Sequence, residues 1–97
     1  MTDAVCTSHT LKVWREPFIA LWLGRKCFEL RRDDRGFHLG DTLELVEWDS
    51  HANAETGRAI IALVEYIVRS DDPVPWAGCL QPDHVCMSIR EIGRRED

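Results

Sequence analysis

Leu23 to Asp41 reads LGRKCFELRRDDRGFHLGD, and the fold turns on this stretch. Gly24 closes one element, because glycine enters the left-handed backbone that ends a helix without a steric cost. Lys26 to Arg31 then runs with a period of two. Lys26, Phe28 and Leu30 share one face and Cys27, Glu29 and Arg31 the other, which predicts a strand. Residues 32–40 carry Asp34, Gly36 and Gly40 and read as a turn-rich loop. Gly40-Asp41 opens the next strand. Arg25, Lys26, Arg31, Arg32 and Arg35 place five cations within eleven residues, with Glu29, Asp33 and Asp34 among them. That interleaving points to a polar site with internal partners. The plainer alternative is a solvated charged face.

Upstream, His9 to Trp14 alternates, with Leu11 and Val13 opposite Lys12 and Trp14, and predicts a first strand. Arg15 to Leu23 follows as a short helix. Pro17 lies in its first turn, where a missing N–H costs little, and Phe18, Leu21 and Trp22 form its apolar face. Residues 1–8 are small and polar and read as a flexible terminus.

Downstream, Thr42 to Trp48 is a strand and Asp49 to Gly57 a polar loop. Arg58 to Val68 is predicted as a long strand. Helix competes there, but the β-branched content favours strand. Ser70 to Pro82 holds three prolines and reads as a loop around Trp76, which either stacks a base or caps a barrel end. Val85, Met87 and Ile89 alternate in a last strand, and residues 91–97 read as a charged tail. The domain is expected to span residues 9–90.

A chain of 97 residues makes one domain. Its 44% hydrophobic and 30% charged composition fits a soluble globular protein. No apolar run reaches the roughly 18 residues of a membrane span. The start, MTDAVCTSHT, lacks the basic and apolar regions of a signal peptide, so a cytoplasmic protein without membrane contact is expected. Cys6, Cys27, Cys79 and Cys86 are then expected as free thiols. Cys79, His84 and Cys86 do not have a zinc spacing, and neither metal nor cofactor is expected. The net charge of −5 argues against bulk attraction to nucleic acid. Yet residues 9–35 hold seven Lys/Arg against four Asp/Glu, and the remainder five against thirteen. A basic site on an acidic body suits selective contact with a small anion, a nucleotide or a short single strand.

One set of residues runs through most of the chain: His9-x-Leu11-Lys12, Phe18, Gly24-x-Lys26-x-Phe28-Glu29-x-Arg31, Asp34-Arg35-x-Phe37, Gly40-Asp41-x-Leu43-x-Leu45-x-Glu47-Trp48, Thr56-Gly57-Arg58, Val64-x-Tyr66-Ile67 and Val85-x-Met87-Ser88-Ile89. In these residues the chain resembles a small bacterial and phage family, domain of unknown function 3850, within the ASCH group of the PUA-like superfamily. The resemblance covers about residues 8 to 90. It implies an α+β, mostly β fold: a small antiparallel pseudo-barrel with one or two short helices. It also implies a cleft beside the first helix, lined by the lysine–glutamate–arginine strand. PUA-like relatives bind RNA or read modified bases. Some ASCH relatives are amidohydrolases acting on acetylated cytidine. Their motif lysine matches Lys26, but their nucleophilic threonine falls on Glu29, where no hydroxyl exists. Their later acidic residue is matched at best by Glu65. Cys27 is a nucleophile by type, more simply read as inert.

The leading expectation is a nucleic-acid-binding module for RNA or a nucleotide. His9, Lys12, Lys26, Glu29, Arg31 and Arg35 would form its cleft, and Trp14 or Trp48 would stack a base. One alternative is a small hydrolase on RNA or a modified nucleoside, with Lys26 and Glu29 as catalytic candidates. The other is a phage or bacterial protein-interaction module whose acidic surface meets a basic partner.

Overall fold

The structure, a computed structural model, describes residues 6–96. Residues 1–5 of the expected flexible terminus, and Asp97, lie outside the described residues.

The chain runs β1 (Ser8–Trp14), α1 (Arg15–Trp22), β2 (Phe28–Arg32), β3 (Thr42–Asp49), β4 (Ala54–Arg69), a 3-10 turn (Pro75–Cys79) and β5 (His84–Glu96). One sheet holds all five strands in the order β1-β3-β4-β5-β2. β1 pairs with β3 in parallel, and the other three pairings are antiparallel. The fold is α+β and mostly β, a curled half-barrel whose edges are β1 and β2.

Strand alternation builds the interior. Leu11 and Val13 from β1, Leu43 and Leu45 from β3, Ile60, Ala62 and Val64 from β4, and Val85, Met87 and Ile89 from β5 all point inward. Phe18 and Leu21 of α1 close one side of this core. α1 ends in a Schellman arrangement: Arg25 N–H donates to Ala20 O at 2.8 Å and Gly24 N–H to Leu21 O at 3.1 Å, with Gly24 at φ +75°. That turn aims Lys26 at the start of β2. Bulges in the β3–β4 and β4–β5 ladders bend the sixteen-residue β4, so one strand serves both ends of the curl.

Four expectations are corrected. β2 starts at Phe28, not Lys26, because the two residues before it complete the turn out of α1. Residues 54–57 are not loop: they open β4, where Ala54 and Glu55 pair with Asp49 and Trp48. Residues 91–96 are not a tail: they extend β5, with Gly93 to Glu96 in register with Ile61 to Arg58. Both segments are polar because this end of the sheet is exposed, and ladder hydrogen bonds rather than burial hold them. Thr7 and Ser8 are likewise fixed in place, Thr7 by its carbonyl to Thr42 N and Ser8 as the first residue of β1.

His9 also departs from expectation. It is buried, stacks on Phe37 with ring centroids 4.7 Å apart, and donates from Nε2 to Asp41 Oδ2 at 2.8 Å. The alternation that points Leu11 and Val13 inward points His9 inward too, so it is a core hydrogen-bond donor and not a cleft residue. The Asp41 carboxylate also accepts from the amides of Thr7 and His38, both at 2.9 Å. Burial pushes the Asp41 carboxyl up, but these three hydrogen bonds outweigh it and hold the group below its ordinary value of 3.8. A carboxylate depressed in the folded state stabilises the fold above its unfolded value, and that stability is lost as pH falls through the folded one. The thermal midpoint is therefore expected to stay level near neutrality and to fall below roughly pH 5. Asp41→Asn is expected to start lower and to fall less steeply, which melting curves between pH 3 and 7 would show. An unchanged acid slope would remove Asp41 from the explanation.

Candidate functional site

The two sheet edges approach each other, but no main-chain ladder joins them. Arginine side chains bridge the gap. Arg31 Nη2 donates to Lys12 O at 2.7 Å, and Arg35 Nη1 donates to Thr10 O at 3.0 Å. Beside this seam lies an open recess of about 360 Å³. Lys12, Lys26, Arg31 and Arg32 supply its cations, and Glu29 is the single carboxylate in its lining. Trp14, Pro17, Phe28 and Leu30 give it apolar walls.

β2 explains how so polar a lining is built. Its binary pattern is inverted relative to the other strands. Phe28 and Leu30 are 45% and 54% exposed, whereas Glu29 is 3% exposed. Glu29 is in register with Met87, and Arg31 with Val85, both fully buried, so the inner face of β2 carries charge where its neighbour carries core. The Glu29 carboxylate is held at both oxygens, by Lys26 Nζ at 2.7 Å and by Arg31 Nε at 2.9 Å. Lys26 Nζ also donates to Phe28 O at 2.7 Å and lies 4.7 Å over the Phe28 ring. Two of its three N–H groups are used in this way. A buried carboxylate is tolerated because both cations neutralise it, and in return it fixes where their charge sits.

The structure brings Lys12, Lys26, Glu29 and Arg31 together in the lining of this recess. It places His9 in the core and Arg35 on the seam outside the recess. Trp48 does not line this recess either: it is the β3 partner of Trp14, with Lys12 Nζ 4.0 Å over its ring. Glu65 is on the outer surface in an ion pair with Arg90 at 2.8 Å, away from the cleft. Cys27 is exposed and borders a separate small recess with Leu21 and Ile60. Trp76 packs near Tyr66, with ring centroids 6.5 Å apart. Among the described residues, no group of three His, Cys, Asp or Glu side chains is placed to hold a metal ion. No helix among them is long and apolar enough to cross a membrane.

Arg32 and His84 were not singled out as site residues, although they line the recess side by side, paired in the β2–β5 ladder. Arg32 stood in the basic run, but only the register brings His84 to it. Also missed was a second buried carboxylate. Glu47 follows Leu43 and Leu45 onto the inner face of β3 and is 1% exposed. Arg58 grips it with Nε at 2.8 Å and Nη2 at 2.9 Å, Thr56 Oγ1 donates to it, and Arg15 lies 3.7 Å away. The hydrogen bonds from Arg58 hold its carboxyl below the ordinary 4.5 against the effect of burial, with Thr56 and Arg15 adding to them. Arg58 in turn lies over the rings of Phe18 and Trp22 and so ties α1 to the sheet. This cluster is architectural.

The profile of the domain of unknown function 3850 family matches residues 8–89. The chain belongs to that family. The match takes in every strand but the end of β5, and every residue of the seam recess. None of the curated proteins compared with the chain matches it significantly.

Proposed function

We propose that this member of the family is a binding module for single-stranded RNA or a nucleotide, and that the seam recess is its ligand site. The observation that carries the reading is the lining itself. Four cations stand around apolar and aromatic walls on a chain whose net charge is −5. Such a lining suits a phosphate beside a base, the cations taking the phosphate and Trp14 or Phe28 the base face.

Binding is favoured over hydrolysis because Glu29 is buried at 3% exposure and paired at each oxygen with a cation, which sets it as an internal counter-ion and not as a group facing the ligand. A general base needs a lone pair within reach of the proton it removes. The reading agrees with the wider kinship to the ASCH group and PUA-like superfamily that the sequence suggests, and with a cytoplasmic site of action. Fluorescence anisotropy of a labelled oligoribonucleotide tests it. Saturable binding is expected at low salt, weakening as salt rises because phosphate contacts release counterions. The ligand mass should be unchanged after incubation. No binding at low salt would contradict the proposal, and a changed mass would make the protein an enzyme.

A further inference from the structure

A second recess, of about 480 Å³, adjoins the first across Trp14. Trp14 is 59% exposed, lines both recesses, and stands at the junction of β1 and α1. Trp48, its registered neighbour on β3, forms the floor of the second recess, and Ile19 of α1 adds to its apolar lining. Two large aromatic side chains on one outward-facing patch of sheet contribute nothing to the core cluster.

Lys12 connects the two sites. It lines the first recess while its ammonium lies 4.0 Å over the Trp48 ring of the second. A cation held there is placed for a phosphate that leads from one recess to the next. The charge of the second recess differs from that of the first: Arg15 and His51 are joined there by Glu16 and Asp49. Asp49 accepts from the amides of His51 and Ala52 and lies 3.9 Å from Arg15, so its carboxylate is a fixed part of the wall. Such a wall disfavours a phosphate and leaves the aromatic surface to a base.

Resting on the nucleotide reading of the first recess, we infer that the ligand is a single-stranded oligonucleotide of at least two nucleotides. One nucleotide occupies the seam, Lys12 takes the phosphodiester that follows, and the next base stacks on Trp48. A lone nucleotide fills only half of the site.

Calorimetric titration of the full chain with adenosine monophosphate and with the 5′-phosphorylated diadenosine pApA separates these statements. pApA is expected to bind roughly 10- to 100-fold more tightly, the gain typical of one stacked base. Trp48→Ala is expected to bring pApA close to the affinity of the mononucleotide, with a far smaller loss for the mononucleotide itself. Trp48→Leu keeps apolar bulk without an aromatic face and should behave in the same way, which guards against a folding defect in the alanine variant. Equal affinities for the two ligands in the unaltered protein, or a Trp48→Leu variant that keeps the full pApA advantage, would overturn the inference and leave the mononucleotide site standing. Absence of binding by either ligand would overturn the nucleotide reading, and this inference with it.

Discussion

Replacing Glu47 by alanine is expected to destabilise the fold by about 3–5 kcal/mol, the usual result of removing one partner of a buried ion pair. The change empties a site that is 1% exposed and leaves Arg58 against Phe18 and Trp22 without its carboxylate. A domain of this size has about 5–15 kcal/mol in total, so the variant should lose a large share of it. Glu47→Gln keeps the volume and one acceptor for the guanidinium, and should lose less. Glu65→Ala is the reference, since its pair with Arg90 is exposed and such pairs contribute at most about 1 kcal/mol. Urea unfolding at neutral pH measures all three. A Glu47→Ala loss no larger than that of Glu65→Ala would show that the buried cluster does not hold α1 to the sheet.

The second large effect is on binding. Lys26→Gln is expected to weaken an oligoribonucleotide by about 10- to 100-fold, the range for loss of a charge-assisted hydrogen bond. Glutamine is the informative replacement because its amide still donates toward Glu29. Charge reversal would set a second carboxylate beside that buried one and confuse binding with folding. Arg90→Gln removes an equal charge from the outer surface and should leave affinity nearly unchanged, since Arg90 does not line the recess. Anisotropy titration of the two variants, with melting curves as control, compares them. Equal losses would mean that general charge, not the seam, attracts the ligand.

The parts of the molecule legible in sequence are those set by local chemistry. The alternation of His9–Trp14 and Phe28–Arg31, the apolar face of α1 and the helix stop at Gly24 all follow from residue order. Glu29 and Arg31 are legible as neighbours on one strand face, whereas alternation puts Lys26 on the other face and only the turn out of α1 brings it to Glu29. What escaped depends on register between distant segments. Glu47 falls on the inner face by alternation with Leu43 and Leu45, but its partners Thr56 and Arg58 reach it only through the pairing of β3 with β4. His9 finds Asp41 32 residues away, so a histidine at a strand start looked available to a ligand. The polar ends of β4 and β5 looked like loop and tail because polarity reports exposure, whereas strand pairing is decided by the partner's backbone. The sequence places Trp48 in one cleft with Lys26, whereas pairing with Trp14 puts it one strand further over.

The most direct measurement is an amide chemical-shift map recorded while a short oligoribonucleotide is added to the full chain. The proposed site requires the largest shifts on both sides of the seam, at Thr10 to Trp14 of β1 and Phe28 to Arg32 of β2, with Arg58 and its neighbours in the buried Glu47 cluster little changed. Shifts confined to the 3-10 turn around Trp76, or to the outer face bearing Glu65 and Arg90, would contradict the seam as the ligand site.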